Sequence, residues 1–268
     1  MLFELETDHM PRQSYIQTLL LDSADSHMIS ACRREAISSI LHLPRSDEDP
    51  FVPYLAINYM DRFVSSQHPQ IGKPWMLKLA AVSCVLLAFK MLRPECVVPV
   101  HFQEDGEYIF DSFTIKRMEL IILEALQWRM RSINPFSFVN YYISLLEFDE
   151  RPSIQALKHR ATEIILKSQH EIKLLGFKAS VICASSLLCS AQELLPFQFT
   201  CFRNVISGCS YVNKEELLNC YSVMQELAAT ESRESISCST TTTTNNHRMS
   251  ETTKIFGDWR AQKRLKLK

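Results

Sequence analysis

The chain has 268 residues, of which 46% are hydrophobic, and a formal net charge of −1 at pH 7. This length and apolar content suffice to bury one large core or two modest ones. The charge is uneven: residues 231–268 carry eight Lys or Arg against four Asp or Glu, while the preceding residues carry 21 against 26. The mild net negative charge of the residues before 231 argues against non-specific binding to nucleic-acid phosphates.

Cysteine and histidine usage predicts an intracellular protein without a metal site or a cofactor. The nine cysteines are odd in number and lack C-x-x-C spacing, and the eight histidines lack ligand spacing. We therefore expect reduced thiols packed as small core residues, in the cytosol or the nucleus. The opening "MLFELETDHMPRQ" has no apolar signal-peptide run. No stretch approaches the ~18 uninterrupted apolar residues of a membrane span, so we expect a soluble, non-secreted protein.

Helical periodicity dominates the first half of the chain. It predicts three helices over Ser26–His42, Val52–Gln67 and Pro74–Leu92, the first ended by "PRSDEDP". A loop with weak helical signal follows and runs to Asp111. The stretch "DSFTIKRMELIILEALQWRM" then forms the last helix of this set, with Asp111 or Ser112 as its N-cap.

A second set of helices repeats the first. "NPFSFVNYYISLLEF", "RPSIQALKHRATEIILKSQHEIKLL", "FKASVICASSLLCSAQEL" and "NKEELLNCYSVMQELAA" follow one another. The third of these, Phe177–Leu194, matches the run Leu79–Lys90 in its richness in Ala, Ser and Cys. Small residues let neighbouring helices approach closely, so each of these two helices is predicted to lie at the centre of a bundle. The predicted fold is all-α, with two tandem bundles of about five helices each that meet near residues 130–134.

The predicted domain organisation has four parts. They are an N-terminal segment (1–25), a first bundle (26–132), a second bundle (133–230) and a tail (231–268). The tail is rich in Ser and Thr and cannot bury enough apolar surface to offset ordering, which predicts disorder. Its basic end is a candidate nuclear-import signal, although a solvated basic terminus is the alternative. The candidate residues are Lys263, Arg264, Lys266 and Lys268.

Five stretches carry a resemblance to a known family. They are "RREAI" (Arg33–Ile37), "LAINYMDRF" (Leu55–Phe63), "KPWMLKLAAVSC" (Lys73–Cys84), "FDSFTIKRMELIILEALQWRMRSINPFSF" (Phe110–Phe138) and "YVNKEEL" (Tyr211–Leu217). With the two tandem bundles, they resemble cyclins over roughly residues 10–230, and the plant D-type cyclins most closely. The resemblance implies a non-catalytic subunit that binds a cyclin-dependent kinase as a heterodimer. It would activate the kinase by stabilising the active arrangement of the αC helix, and so promote the G1/S transition and cell division.

The resemblance also implies which residues contact the kinase. In the family, a lysine at the end of the third helix and a glutamate on the fifth reach toward the kinase, and here these residues are Lys90 and Glu119. The apolar neighbours Phe89, Met91 and Leu92 would supply desolvated contact area around the pair. The alternatives are that Lys90 is only a cation at a helix C-terminus and that Glu119 is solvated.

The residues around Glu119 favour a paired carboxylate on their own account. At helical spacing, Glu119 has Ile115, Ile122 and Leu123 as neighbours. A carboxylate in an apolar patch is costly unless it is paired or supplied with hydrogen-bond donors.

Three departures from the family pattern predict altered recognition. After Lys90, "MLRP" places Leu92 and Arg93 where D-type cyclins usually have two acids, which should alter the association rate or the choice of kinase. Ser39 stands where the docking groove for Arg-x-Leu substrates usually has a tryptophan, and Lys78 where it has a glutamine. An L-x-C-x-E motif for retinoblastoma-type proteins is absent, as in the short sub-group of the family. Weak or altered substrate docking follows.

The candidate docking groove combines residues of the first and third predicted helices. Its members are Cys32, Arg33, Ala36, Ser39 and Lys78. Local packing of Cys32 and Ser39 is the alternative reading.

Partners and location rest on the same resemblance. Kinase-inhibitor proteins and retinoblastoma-related substrates are further expected partners, in the nucleus and the cytoplasm, without direct contact with nucleic acid or membrane. The alternative function is a cyclin-fold transcription factor that binds nucleic acid, which would need a basic stripe on the bundles. An enzyme is the third possibility, and it would need a phosphate loop, metal spacing, a Ser/His/Asp order or paired carboxylates that the sequence does not show.

Overall fold

The computed structural model describes residues 2–42, 49–67, 74–94, 110–146 and 151–237. Over these ranges the chain forms α-helices and three short 3-10 helices, without a strand. The α-helices are α1 (Leu2–Leu5), α2 (Gln13–Leu20), α3 (Ala24–His42), α4 (Phe51–Gln67), α5 (Pro74–Leu92), α6 (Ser112–Ala125), α7 (Val139–Leu145), α8 (Arg151–Ser168), α9 (Ala179–Leu194), α10 (Phe199–Ser207) and α11 (Lys214–Ser237). The all-α prediction is confirmed.

Helix α5 is the centre of the first bundle, because α3, α4 and α6 all pack against it. Its small residues Ala80, Ala81, Cys84 and Ala88 are completely buried, which allows the neighbouring backbones to approach. The predicted bounds of this helix agree with the observed ones. The end of α5 is thereby held in a fixed place beside α6.

By length and composition, α5 is also apolar enough to cross a membrane, over the window Trp75–Leu92. It is the one such helix among the described residues. This finding differs from the expectation that no stretch of the chain approaches a membrane span. Of this window, 67% is buried inside the protein. Packing against three helices accounts for its apolar composition, since a helix that is hydrophobic on all sides must be covered on all sides.

Helix α9 takes the corresponding place in the second bundle. It packs against α7, α8 and α10, and its Ala, Ser and Cys residues are buried. The hydroxyls of Ser186 and Ser190 donate to backbone carbonyls one turn earlier, which satisfies them inside the core. The predicted central role of both small-residue helices agrees with this packing.

Two features of the second bundle differ from the sequence prediction. Helix α8 ends at Ser168, and a 3-10 helix at Ile172–Gly176 replaces the predicted continuation. Glu171 caps the start of this 3-10 helix, because its carboxylate accepts from the backbone N–H of Lys173 at 3.1 Å. Helix α10 was not predicted, because nine residues with two buried positions give too short a periodic signal.

The N-terminal segment is helical and bridges the two bundles. The ring of Phe3 stacks on Tyr211 with centroids 4.4 Å apart and also contacts Phe138, so α1 lies on the second bundle. The Glu6 carboxylate accepts from both the backbone N–H and the hydroxyl of Ser180, at 2.8 Å each. Helix α2 packs on α3 and on the 3-10 helix at Ile172–Gly176. The sequence prediction named residues 1–25 as an N-terminal segment without assigning it a helix or a role.

The Glu6 contact predicts a specific pH dependence. Burial raises the pKa of Glu6 in spite of the two hydrogen bonds from Ser180. A raised folded-state pKa means that the stability contributed by Glu6 is greatest at pH below its unfolded pKa and declines as pH rises through the folded pKa. We expect the unfolding free energy of the wild type, relative to Glu6→Gln, to fall over this window in urea titrations. A flat difference would contradict the prediction, and Glu215→Gln at an exposed position is the control.

The segment between the bundles is anchored to α4. The Tyr59 hydroxyl donates to the backbone carbonyl of Met130 at 2.5 Å. The Arg62 guanidinium donates to the carbonyl of Arg129 at 3.1 Å and to the Ser132 hydroxyl at 3.0 Å. Burial lowers the pKa of Arg62 to about 10. These contacts hold in place the residues that follow α6.

Two residues at the end of α6 adopt the left-handed conformation. Gln127 has φ 53° and Trp128 has φ 59°, and the Trp128 N–H donates to the carbonyl of Leu123 at 2.9 Å. This closes the helix, but a side chain in the left-handed region costs roughly 1–2 kcal/mol.

Replacing Gln127 by glycine should therefore stabilise the protein. Because Gln127 is exposed, its side chain contributes little, and relief of backbone strain should raise the unfolding free energy by about 0.5–1 kcal/mol. Chemical denaturation measures the effect. Gln127→Ala keeps a Cβ and is the matched control, so equal gains in both variants would rule out strain as the cause.

Helix α11 extends beyond the predicted start of the tail. The described residues up to Ala228 form one compact unit, and its boundary falls inside α11. The tail was predicted from residue 231, whereas α11 runs to Ser237, since its Glu and Arg residues favour extension of an existing helix. Residues 238–268 lie outside the described residues, and the candidate nuclear-import residues are among them. The predicted domain boundaries stay predictions.

Candidate functional site

The structure brings Lys90 and Glu119 into direct contact. Lys90 lies in the last turn of α5 and Glu119 in the middle of α6. The Lys90 ammonium donates to Oε1 and to Oε2 of Glu119, each at 2.6 Å. These two residues are 29 positions apart in sequence, so the packing of α5 against α6 creates the pair.

The two members of this pair differ in exposure. The Glu119 side chain is 9% exposed and lies on the face of α6 that buries Ile115 and Ile122, whereas the Lys90 side chain is 52% exposed. The ammonium offsets the cost of placing the carboxylate in an apolar patch. It also carries three donors, so a partner's carbonyl can share it with Glu119. The result is a fixed, partly open polar pair at the surface of the first bundle.

The three predicted apolar neighbours of Lys90 lie in different environments. Met91 is exposed, and Leu92 is half-buried against the core of the first bundle. Phe89 is buried inside that core, so its ring supports α5 and presents no contact surface of its own in this structure. Of the three, Met91 offers the most surface beside the pair.

The prediction overlooked four exposed apolar side chains on and just after α6. They are Phe113, Leu120, Ile121 and Trp128. Trp128 is 67% exposed on a backbone that the left-handed turn and Arg62 hold in place. A group of large exposed apolar side chains on and just after one helix is typical of a protein-binding surface. The sequence signal was available, because these residues break the apolar periodicity of α6.

Arg93 has a partner within the chain. Its guanidinium donates to Oδ2 of Asp49 at 3.2 Å, and its backbone N–H donates to the carbonyl of Phe89 at 2.7 Å. Asp49 also holds the start of α4, because its Oδ1 accepts from the N–H of Phe51 at 3.0 Å. The departure "MLRP" thus forms a contact between the end of α5 and the start of α4.

The candidate docking-groove residues divide into buried and half-exposed ones. Arg33 and Ala36 are buried, while Cys32, Ser39 and Lys78 are half-exposed on α3 and α5, which pack together. The Arg33 guanidinium forms a bidentate ion pair with Asp61 at 2.8 and 2.9 Å, so it supports the fold and offers no groove surface. The docking groove stays a prediction that depends on the other three.

Among the described residues, no group of three His, Cys, Asp or Glu side chains is placed to hold a metal ion. Seven described cysteines are free thiols, and burial raises the pKa of Cys189 and of Cys220 to about 12 each. Thiols that remain protonated inside a core serve as packing residues.

Comparison with known proteins defines the class. Residues 1–131 match the cyclin N-terminal domain family, and residues 133–255 match the cyclin C-terminal domain family. A viral cyclin from herpesvirus saimiri has the same fold, with a TM-score of 0.56 at 20% identity over 74% of this chain and 86% of that one. The chain belongs to the cyclin family.

The relatives narrow the class further. A putative cyclin-D6-1 of Arabidopsis thaliana is 44% identical over 228 residues, which cover 84% of this chain and 74% of the relative. Cyclin-D6-1 of Oryza sativa subsp. japonica is 36% identical, over 76% of this chain and 68% of the relative. The resemblance to plant D-type cyclins is confirmed. Cyclins are regulatory subunits of cyclin-dependent kinases, and the alternative of a nucleic-acid-binding transcription factor is not favoured.

Proposed function

We propose that this chain binds a cyclin-dependent kinase through Lys90 and Glu119 and holds the αC helix of the kinase in its active arrangement. The observation that carries the proposal is the pair itself, with both N–O distances at 2.6 Å, a buried carboxylate and a half-exposed ammonium. Such a pair presents a donor and an acceptor in fixed positions, which suits backbone groups of a partner.

The mechanism is a shift of population and needs no catalytic group from this chain. A kinase is active when its αC glutamate pairs with the ATP-site lysine and its activation loop is placed. A subunit that binds this arrangement better than the inactive one raises the active fraction by the ratio of the two affinities. The chain itself has no catalytic activity in this proposal.

Exposed apolar side chains supply the contact area around the pair. Met91, Leu120 and Trp128 are exposed in the free chain. Covering them excludes water from the rim of the pair and strengthens its contacts to the kinase. Trp128 contributes most, since tryptophan is enriched among the residues that dominate binding energy.

The proposal extends to the cell-cycle role and its partners. The complex promotes entry into the G1/S transition and cell division, in the nucleus and the cytoplasm, and the basic residues 263–268 direct import. The assembled complex binds kinase-inhibitor proteins and retinoblastoma-related substrates. Ser39 and Lys78 weaken the docking of Arg-x-Leu substrates, because an apolar anchor is missing and a lysine repels an incoming arginine.

A binding measurement tests the proposal. We expect the wild-type chain to form a 1:1 complex with a plant cyclin-dependent kinase in titration calorimetry. Lys90→Ala should weaken it by about 2–5 kcal/mol, because Glu119 is then left buried and unpaired beside the kinase. Lys214→Ala removes the same charge at an exposed position of the second bundle and should bind as the wild type does. Equal affinities of Lys90→Ala and the wild type would refute the proposed contact.

A further inference from the structure

We propose that Asp49 and Arg93 form a positioning device that fixes the last turn of α5 and thereby sets the orientation of Lys90 for the kinase. The inference rests on the proposed function and assigns a role to two residues outside the contact itself. Asp49 is a mostly buried positioning residue, and Arg93 transmits its effect to the turn that carries Lys90.

The first step is the burial of Asp49. Its side chain is 11% exposed, whereas that of Arg93 is 38% exposed. Asp49 uses both carboxylate oxygens, one for the N–H of Phe51 at the start of α4 and one for the Arg93 guanidinium. Its backbone carbonyl also accepts from the N–H of Val52 at 3.0 Å. The carboxylate is therefore held at the start of α4 independently of its contact with Arg93.

The second step is the position of Arg93 relative to Lys90. Arg93 follows Lys90 by three residues, about one helical turn. Its N–H closes that turn on the carbonyl of Phe89, whose ring is fixed in the core. The turn between Phe89 and Arg93 is thus held at one end by core packing and at the other by the ion pair with Asp49. Lys90 lies between these two fixed points.

The third step is the flexibility of Lys90. A lysine side chain has considerable rotamer entropy, and here half of it faces solvent. Its ammonium reaches Glu119 at 2.6 Å only when the backbone of this turn lies at the correct distance from α6. Because α4, α5 and α6 pack on one another, a contact that ties α5 to α4 also fixes the span between Lys90 and Glu119.

The test is a double-mutant cycle measured by kinase binding and by thermal unfolding. Asp49→Asn keeps an N-cap side chain at α4 and removes only the charge, and Arg93→Gln removes the other charge. We expect each variant to bind the kinase roughly 3–10-fold more weakly, with the double variant no weaker than the weaker single one. The unfolding temperature of each should remain that of the wild type. Arg93→Lys, which keeps the charge, should restore most of the affinity.

The outcomes separate this inference from the proposed function. If Arg93→Gln weakens binding and Asp49→Asn does not, Arg93 touches the kinase directly and the positioning role is wrong. If both variants bind as the wild type while Lys90→Ala binds weakly, the proposed function holds and the positioning role fails. If Lys90→Ala also binds as the wild type, both are refuted. If Asp49→Asn also lowers the unfolding temperature, the Arg93→Lys variant decides. Recovered affinity in Arg93→Lys supports the positioning role, and lost affinity refutes it.

Discussion

Exchanging the charges of Lys90 and Glu119 within one molecule is expected to restore the internal ion pair without restoring kinase binding. Lys90→Glu alone places two carboxylates together, and Glu119→Lys alone places two ammonium groups together, so each single variant loses both stability and affinity. In the double variant Lys90→Glu/Glu119→Lys, opposite charges again face each other across α5 and α6. Position 90, however, now presents a hydrogen-bond acceptor to the kinase in place of a donor. Binding therefore remains weaker by about 2–5 kcal/mol or more.

This variant distinguishes a structural pair from a recognition pair. Unfolding free energies measured in urea should recover in the double variant toward the wild-type value. The affinity for the kinase, measured by calorimetric titration, should not recover. If affinity recovers together with stability, the pair serves only to join α5 to α6, and the kinase binds elsewhere on the first bundle.

The second large effect is expected at Arg33, which forms an ion pair with Asp61 inside the first bundle and also contacts the second bundle. Both side chains are almost completely buried, at 2% and 3% exposure. The guanidinium also donates to the backbone carbonyls of Gln169 and His170, which follow α8. Arg33→Met leaves the Asp61 carboxylate buried without its partner, which should lower the unfolding free energy by about 3–5 kcal/mol.

Two further variants test the cause of that loss. Arg33→Lys keeps the charge but cannot form a bidentate pair and two carbonyl contacts at once, so it should recover only part of the stability. Arg33→Met/Asp61→Leu removes both charges and should be more stable than Arg33→Met alone, because no unpaired charge remains. A double variant no more stable than Arg33→Met would contradict the unpaired carboxylate as the cause of the loss, since both variants lack the carbonyl contacts of Arg33. Urea denaturation followed by circular dichroism measures all three.

The sequence predicted the central helices well because their composition is unusual. A helix that is apolar on every side, such as α5 or α9, has one stable place in a helical bundle, which is its centre. Its bounds follow from Pro74 or from the change to polar residues. Helices α2 and α10 are short, with few buried positions each, and their helical period cannot be distinguished from chance. Their place is decided by packing between elements distant in sequence.

Part of the candidate site could also be predicted because one of its residues is unusual in its surroundings. Glu119 stands out because a carboxylate among isoleucines requires a partner, and the structure supplies Lys90. The contact of Arg93 with Asp49 could not be predicted, since 44 residues and a change of helix separate them. Arg33 was assigned to a surface groove from resemblance alone, whereas burial against Asp61 and the second bundle is a property of the assembled fold.

The central claim, that this cyclin activates a kinase, is tested most directly by a saturation experiment. Purified chain is added in increasing amounts to a plant cyclin-dependent kinase, and phosphorylation of a histone substrate is measured. We expect a rate that rises and saturates at a 1:1 ratio with the wild type and with Lys214→Ala, and that stays at the basal level with Lys90→Glu. A complex that forms at 1:1 without a rise in rate, or a rise that Lys90→Glu reproduces, would contradict the account.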